Sequence, residues 1–458
     1  MYSTLVRHVL FPLHERLKGK PTFPWLHRLE ESQWWSRERL LEYQADRLRS
    51  LTTYAARHVP YYARLFAEHG LAPTDIRSTD DLARLPCLTR AHLRDHFRTL
   101  QAAGAGPRSQ RISTGGSTGE PVTVLVDMTR MGFGEGSRLR SHRWFGIEPG
   151  SREIVLWGSP IELGGQGIVR SLRDRLLNSR LLSAFDLGEP ALARYAAFID
   201  RYRPVKMYGY ASALYLLARY VEARQWTPPT SLQAIFATAE PLFDFQRKTI
   251  EAAFRCRVAV EYGARDGGLI ANECPDGGLH IPAEGIHVEI ADADADGVGE
   301  IVVTILDSHV FPMIRYRTGD LGCLAPDSCR CGRSLPRLRS IEGRQTDFIV
   351  TPDHRCLHAL ALIYPLRDMD RIKSFQVLQE RVDLVRVSVV PQPSFTRADV
   401  AAVEQKLATV LGDAIHVDVQ TVDAIERTRS GKFRYVISKV AGTEVETMLR
   451  GRALVSAR

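Results

Sequence analysis

The chain has 458 residues, of which 44% are hydrophobic and 25% charged, the composition of a globular protein of two or three domains. Its net charge of +8 is spread along the sequence, so we expect no nucleic-acid partner, because nucleic-acid binding needs a concentrated basic patch. No apolar run is long enough to span a bilayer, and the seven cysteines are an odd number. Together these features predict a cytoplasmic protein with neither a disulfide framework nor a membrane partner.

Three regions follow one another along the chain. Residues 1–105 are predicted to be mainly helical, because apolar positions recur three and four residues apart. Between residues 110 and 320, short runs such as EIVLWG and AIFATAE alternate with helical patterns, which predicts an α/β domain with a partly parallel sheet. A turn-rich stretch, 320–347, precedes a segment with the pattern of a small α+β domain.

The segment STGGSTGEP, residues 113–121, combines three glycines with four hydroxyl side chains. Backbone N–H groups of a glycine-rich turn and neighbouring hydroxyls can converge on phosphate oxygens. Taken alone, the segment is equally typical of a surface hairpin or a linker. It matches neither the nucleotide P-loop, since no lysine follows Gly119, nor the dinucleotide fingerprint.

Three further motifs accompany this glycine-rich segment. YRTGDLG, residues 316–322, places Asp320 in a glycine turn after a strand, where a carboxylate is suited to accept both ribose hydroxyls. EGRQTDFIV, residues 342–350, lies at the domain boundary, and ERTRSGKFRYVIS, residues 426–438, carries Lys432 on a Ser-Gly turn. Each motif alone is a weak signal, but four in this order argue against coincidence.

The four motifs resemble those of the adenylate-forming superfamily of acyl-CoA synthetases and ligases. Further stretches resemble its phenylacetate–CoA ligase family and the CapK-like branch of that family: SQWWSRERLLEYQADRLRSL, HVPYYARLF, LPCLTR, YGARDGGLIANECPDGGLH, CRCGRSLPRL and IKSFQVLQ. The resemblance implies an α/β fold with a large multi-subdomain N-terminal domain of mixed and parallel sheets, residues 1–343. It also implies a hinge at 344–347 and a small mobile α+β domain at 348–458.

The resemblance implies an AMP-forming acid–thiol ligase as well. Such enzymes join a small-molecule carboxylic acid to ATP with Mg²⁺, release pyrophosphate, and transfer the acyl group to a thiol, usually that of CoA. Lys432 would bridge the carboxylate and the α-phosphate, and Asp266 would hold Mg²⁺ where the family mostly has glutamate. Without the resemblance, Lys432 would be interpreted as a solvated lysine, and a helix-capping role stays open for Asp266. The implied nucleotide-binding positions are Ser113, Thr114, Gly115, Gly116, Ser117, Thr118, Gly119, Ala239, Glu240, Pro241, Glu261, Tyr262, Gly263, Asp320 and Arg344.

Two departures from the family pattern keep alternatives open. Thr346 stands at the hinge position where the family has Asp or Lys, and VTPDHRCLH lacks the glycine turn that contacts pantetheine. An amine, a hydroxyl or a carrier-protein thiol therefore stays open as the acyl acceptor instead of CoA. A subunit that kept the fold and lost the chemistry is disfavoured by the intact hydroxyl segment, Asp320 and Lys432.

The acyl pocket is predicted at strand ends. By their place in the family pattern, its residues are Tyr208, Tyr210, Ala211 and Thr238. An aromatic-plus-small lining suits an aryl or short acyl acid, although the same residues are equally typical of core packing.

A metal site is predicted apart from these motifs. Cys274 and His280 are followed about fifty residues later by Cys329 and Cys331, and three cysteines with one histidine supply a closed tetrahedral set for structural Zn²⁺. The alternative is a group of free thiols.

Overall fold

The computed structural model describes residues 2–103, 109–113, 122–157, 167–184, 187, 189–344, 348–352, 356–358, 360–367, 369–412, 414–426 and 434–440. Residues 114–119, the hinge positions 345–347 and Lys432 lie outside the described residues, so their roles stay predictions. No helix of the described residues is long and apolar enough to cross a membrane.

Helices make up most of the first hundred residues. Ser36 and Thr89 each cap a helix, because their hydroxyls accept the N–H of the residue three positions later, and Pro60 begins another helix with its preset φ. Helix α1 (Tyr2–Leu5) continues through one π-helical turn (Val6–Leu10) into α2 (Phe11–Leu17). The others are α3 (Thr22–Ser32), α4 (Arg37–His58), α5 (Pro60–Glu68) and α6 (Arg90–Asp95), with 3₁₀ turns at Pro73–Asp75 and Asp80–Arg84.

Strands and helices alternate in the next region. The strands are β1 (Ser109–Ser113), β2 (Thr123–Asp127), β3 (Glu153–Trp157), β4 (Ser179–Ser183), β5 (Lys206–Tyr210), β6 (Ala234–Thr238), β7 (Arg257–Ala264), β8 (Gly268–Glu273), β9 (Leu279–His280), β10 (Ile286–Ala291), β11 (Gly299–Ile305), β12 (Tyr316–Leu324) and β13 (Arg337–Arg344). The helices are α7 (Met128–Arg143), α8 (Gly167–Leu176), α9 (Glu189–Tyr202), α10 (Ala211–Ala223) and α11 (Asp244–Phe254).

One mixed sheet of eleven strands organises this region. Its order is β10-β11-β12-β13-β9-β8-β7-β6-β5-β3-β4, and β1 pairs with β2 in a separate antiparallel hairpin. The neighbours from β4 to β7 are parallel and the remaining pairs are antiparallel. One apolar core packs helices α4 and α5 against the antiparallel half, and a second packs α9, α10 and α11 against the parallel half. The sheet therefore joins two cores where β7 meets β8.

A second, smaller sheet follows the domain boundary. Its order is β18-β17-β16-β19, and a third apolar core lies between it and two helices. The elements are β14 (Phe348–Val350), β15 (Cys356–His358), α12 (Leu360–Arg367), β16 (Ile372–Arg381), β17 (Leu384–Pro391), α13 (Arg397–Leu411), β18 (His416–Thr421) and β19 (Val436–Ser438). Phe243, ahead of α11, packs against this core with its ring centroid 6.3 Å from that of Tyr435.

Candidate active site

The carboxyl ends of three parallel strands bring predicted site residues side by side. Tyr210 at the end of β5 pairs with Thr238 at the end of β6, and Thr238 pairs with Glu261 in β7. Ligands of parallel sheets bind beyond this edge. Ala239 follows β6 directly and has a φ of +66°. Residues other than glycine rarely adopt this backbone conformation, and those that do are often found at functional sites. Glu240, the next residue, accepts the backbone N–H of the first turn of α10.

Tyr262 and Asp320 meet across 58 residues of sequence. The Tyr262 hydroxyl donates to Asp320 Oδ2 at 2.9 Å. Asp320 lies in β12 after Gly319, whose φ of +80° requires glycine, and it is 9% exposed. In the adjacent strand β13, Arg344 is its register partner, although the Arg344 side chain lies outside the description. Three predicted nucleotide positions therefore share one edge of the sheet.

The close approach of β7 and β8 requires Gly263. The pairing shifts register between Tyr262 and Gly263, and a Cβ at Gly263 would lie 2.7 Å from the Gly268 carbonyl oxygen. Any side chain here would push β8 away and disturb the turn between β7 and β8, which contains Asp266. Ser113 is the last residue of β1, and its Oγ lies 3.0 Å from Oγ1 of Thr123, the first residue of β2. Residues 114–121 connect these two strands in sequence.

Asp266 is buried, and its carboxylate is held by protein groups. It is 2% exposed; Tyr316 donates its hydroxyl to Oδ2 at 2.5 Å, and the Gly267 N–H donates to Oδ1 at 3.2 Å. The Arg90 guanidinium lies 3.9 Å from Oδ2, and Arg130 donates to the Asp266 carbonyl at 2.5 Å. Burial and then the negative charge of Asp266 raise the pKa of Tyr316. The expected Mg²⁺ ligation does not fit this arrangement, because the buried carboxylate already accepts the Tyr316 hydroxyl and the Gly267 N–H and lies beside the Arg90 guanidinium.

Glu261 is also held inside the protein, through one of its two carboxylate oxygens. Its Oε1 accepts the Tyr208 hydroxyl at 2.7 Å, and it is 7% exposed. Burial raises the pKa of Glu261, with Arg138 opposing the shift. Arg138 of α7 also lies over the Tyr208 ring and pairs with Glu135 at 2.7 Å. Glu261 and Tyr208 thus join the sheet to a buried ionic network.

The four predicted pocket residues divide into two groups. Tyr210 and Ala211 are 2% and 0% exposed and belong to the second apolar core. Tyr208 stacks on Trp157 with ring centroids 5.9 Å apart, and Thr238 stands at the strand end. Core packing therefore accounts for Tyr210 and Ala211, while the role of all four in acid binding stays a prediction.

Sequence reasoning missed Arg90, Arg130 and Tyr316. Tyr316 opens the YRTGD motif and Arg90 closes the LPCLTR stretch, so the motifs themselves contained the signal. Arg130, in the first turn of α7, belongs to no motif. It is fully buried, and burial lowers its pKa to about 10. Only the fold brings its guanidinium to Asp266.

The predicted metal ligands form one cluster. One ligand atom each from Cys274, His280, Cys329 and Cys331 lies within 4.8 Å of the others. Two sulfurs at about 2.3 Å from a tetrahedral zinc are about 3.8 Å apart, and Cys274 Sγ lies 3.7 Å from Cys329 Sγ. His280 turns Nδ1 towards the Leu335 carbonyl at 3.3 Å and Nε2 towards Cys331 Sγ at 3.2 Å, the orientation of a zinc-bound imidazole. These four residues fit a zinc ion.

Comparisons with known proteins agree with the motifs. A family model described as the CapK C-terminal domain matches residues 349–439. A phenylacetate–coenzyme A ligase of Thermus thermophilus is 28% identical over 326 residues, covering 69% of this chain and 72% of the relative. Protein CapK of Staphylococcus aureus is 23% identical over 416 residues, covering 88% and 90%. These matches confirm the predicted resemblance to the phenylacetate–CoA ligase family and its CapK-like branch.

A solved structure shares the fold. A 2-hydroxyisobutyryl-CoA ligase, in its postadenylation state with the adenylate R3-HIB-AMP, superimposes with a TM-score of 0.71 and 22% identity. The match covers 91% of this chain and 94% of that one. The predicted α/β class, a large mixed sheet with a separate C-terminal sheet, is confirmed.

Proposed function

We propose that this CapK-like relative of the phenylacetate–CoA ligases is an ATP-dependent, AMP-forming carboxylate ligase. The pairing of Tyr262 with Asp320 at the edge of the sheet is the observation that carries the proposal. It places a partly buried aromatic ring beside a carboxylate, and adenosine offers a base to stack on the ring and two ribose hydroxyls to donate to the carboxylate. Ala239 and Glu240 follow the adjoining strand end.

The residues of the chain divide the adenylation step between them. Asp320 would orient the ribose, and the hydroxyls and amides of residues 113–119 would hold the phosphates that leave as pyrophosphate. Lys432 would neutralise the carboxylate and the α-phosphate as they approach, since two anions otherwise repel each other. Positioning of this kind contributes several kcal/mol to a bimolecular reaction, because the reactants are already aligned.

CoA is the acceptor that we propose for the second step. The relatives that match over most of this chain include ligases named for coenzyme A. An aryl or short acyl acid is the proposed substrate class, because Trp157 and Tyr208 present aromatic surface beside the strand ends. The proposal includes Mg²⁺ bound with ATP, but it does not make Asp266 a ligand of that ion. The domain boundary at 344–347 and the cytoplasmic location remain predictions.

We also propose a structural zinc at the four-residue cluster. Cys274 follows β8 and His280 lies in β9, while Cys329 and Cys331 lie in the loop ahead of β13. A zinc ion there would tie together three consecutive strands of the sheet. One of them, β8, pairs with β7, the strand that carries Glu261 and Tyr262. The ion would therefore stabilise the proposed nucleotide site without contacting the nucleotide.

ATP–pyrophosphate exchange tests the proposal. The purified chain is assayed with aromatic, short aliphatic, amino and sugar acids, beside Lys432→Ala and a matched control, Lys439→Ala, whose side chain is 61% exposed. Acid-dependent exchange that survives in the control and disappears in Lys432→Ala supports adenylation. Lys432→Ala should still transfer acyl groups from a supplied acyl-adenylate. Equal loss of both half-reactions, or no exchange and no nucleotide binding, contradicts the proposal.

Competition between acceptors tests the second step. The enzyme first forms the acyl-adenylate, and CoA, a carrier-protein thiol and simple amines are then added together. Preferential formation of the CoA thioester supports the ligase, and preferential amide or carrier acylation would assign the second step to another acceptor while leaving adenylation intact.

A further inference from the structure

An exposed apolar surface runs along the first helices. Of the ten large apolar side chains that are exposed among the described residues, seven lie on two segments. Five recur at three- and four-residue spacing along α1, the π turn and α2, and two stand four residues apart on α8. The apolar strip, as we name it, consists of Tyr2, Leu5, Val9, Leu13, Leu17, Leu172 and Leu176.

The two segments are held together and docked on the protein by their inner faces. The Tyr2 hydroxyl donates to the Leu176 carbonyl at 2.9 Å. Val6 is fully buried and packs so tightly on Gly150 that a Cβ there would lie 2.9 Å from Val6 Cγ1. Glu15, in the last turn of α2, is 3% exposed. The inner face is therefore occupied, and the strip faces solvent.

The charge around the strip is basic. Residues 2–20 contain four lysines or arginines and one glutamate, and residues 170–176 contain three arginines and one aspartate. Both carboxylates are already engaged, since Glu15 accepts the Thr22 hydroxyl at 2.6 Å and Asp174 pairs with Arg173 at 2.5 Å. The two segments therefore carry seven cationic side chains and two carboxylates, and Arg7 also pairs with Glu148 at 2.8 Å, which leaves a local excess of positive charge.

The cationic groups of the two segments also lie near one another. Burial, followed by the charges of Arg173 and Lys20, lowers the pKa of Lys18. Like charges gathered beside an apolar strip repel each other, and an anionic partner would relieve that repulsion. The segments thus combine an apolar face with a concentrated positive field, which the linear sequence hides because charges interrupt its apolar run.

We propose that this surface binds the interface of an anionic bilayer. The apolar strip would lie at the boundary of headgroups and acyl chains, and the lysines and arginines would lie against lipid phosphates. Such attachment needs no spanning helix, so it is compatible with the absence of one among the described residues. It replaces the sequence-based expectation of no membrane partner. A second copy of this chain is the disfavoured occupant, because a two-fold dimer would set the same basic segments against each other.

Vesicle sedimentation with the full chain tests the proposal. Vesicles of phosphatidylcholine alone are compared with vesicles of equal parts phosphatidylcholine and phosphatidylglycerol, at low and at high salt. We expect binding to the anionic vesicles that weakens as salt screens the charges, and little binding to the neutral ones. Equal binding to both compositions, or binding to neither, overturns the proposal.

Matched variants distinguish binding through the apolar strip from nonspecific hydrophobic adsorption to vesicles. Leu5→Glu/Leu13→Glu should lower vesicle partitioning at least about tenfold, since two apolar side chains that would enter the acyl-chain boundary are replaced by charged ones. Leu41→Glu/Leu324→Glu changes two exposed leucines outside the strip, 45% and 37% exposed, and should partition like the parent. Unchanged partitioning of the strip variant overturns the proposal.

Charge and self-association are tested separately. Lys18→Gln/Arg175→Gln should lower binding to anionic vesicles about thirtyfold, because two charges near the lipid phosphates are lost, and should leave the neutral baseline unchanged. Leu5→Ser/Leu13→Ser repeats the strip test without adding charge, and its unfolding midpoint should match the parent. A dimer that Leu13→Glu dissociates, seen by light scattering without vesicles, would assign the strip to a second copy and overturn the proposal.

Discussion

The hydroxyl of Tyr316 donates to Asp266 Oδ2 at 2.5 Å and joins the first residue of the YRTGD motif to the turn after β7. Both side chains are buried, and Arg90 and Arg130 approach the same turn from the helical region and from α7. Asp266 is thus the centre of a buried structural cluster, and its polar partners all come from the protein itself.

Asp266→Asn should therefore affect stability more than magnesium use. The change removes the buried charge that lies beside the Arg90 guanidinium and accepts the Tyr316 hydroxyl, and we expect the free energy of unfolding to fall by about 2 kcal/mol. The Mg²⁺ concentration that half-activates pyrophosphate exchange should change by less than about twofold. Urea unfolding and a magnesium titration are the measurements. A large increase in the magnesium requirement, with unchanged unfolding, would show that Asp266 ligates the metal.

Tyr262→Phe should weaken ATP binding and spare turnover. The variant keeps the ring and removes the hydroxyl that donates to Asp320, a hydrogen bond worth about 1 to 1.5 kcal/mol. We expect the KM for ATP in the exchange assay to rise about fivefold to tenfold, with kcat nearly unchanged. Tyr61→Phe, at a tyrosine that packs on Tyr62 and His96 in the first core, is the control. A fall in kcat at constant KM would contradict the ribose-orienting role of Asp320.

Cys331→Ser should remove the proposed zinc. Elemental analysis of the parent should find close to one zinc per chain, and the variant should have lost most of it and should unfold at a lower temperature. Cys87→Ser, at a partly buried cysteine outside the cluster, should change neither quantity. A parent that holds no zinc after purification without chelators would contradict the proposal.

Acid should destabilise the protein through His142. This side chain is 1% exposed, stacks on Phe236 and lies 2.9 Å through Nδ1 from the Lys206 ammonium group. Burial, then Lys206 and Arg138, hold the pKa of His142 well below its ordinary value of 6.5. The unfolded chain therefore binds a proton below pH 6.5 that the folded chain does not, and stability falls there by up to about 1.4 kcal/mol per pH unit.

Urea unfolding at pH 7.5 and pH 5.5 measures this dependence. His142→Gln should lose about 1 kcal/mol less than the parent between the two pH values, because its side chain does not titrate. His27→Gln removes a histidine that is 81% exposed and should keep the slope of the parent. The prediction is wrong if His142→Gln keeps the slope as well.

The sequence by itself determined the α/β class, the family resemblance and the grouping of three cysteines with His280. Each depends on spacing along the chain: strand-like runs alternating with helical ones, motifs in a fixed order, and cysteines beside a histidine at metal-ligand intervals. Local periodicity and turn chemistry are properties of short segments, so they can be interpreted without knowing how the segments pack.

Only the tertiary structure decided what surrounds Asp266 and what the first helices expose. Arg130 is separated from Asp266 by 136 residues, and nothing in either segment points to the other. The apolar strip was hidden for a related reason: Leu5, Val9 and Leu13 are four residues apart in sequence and share one face only once the helix forms. Burial and neighbouring charges set the chemistry of a side chain, and both are supplied by packing between distant segments.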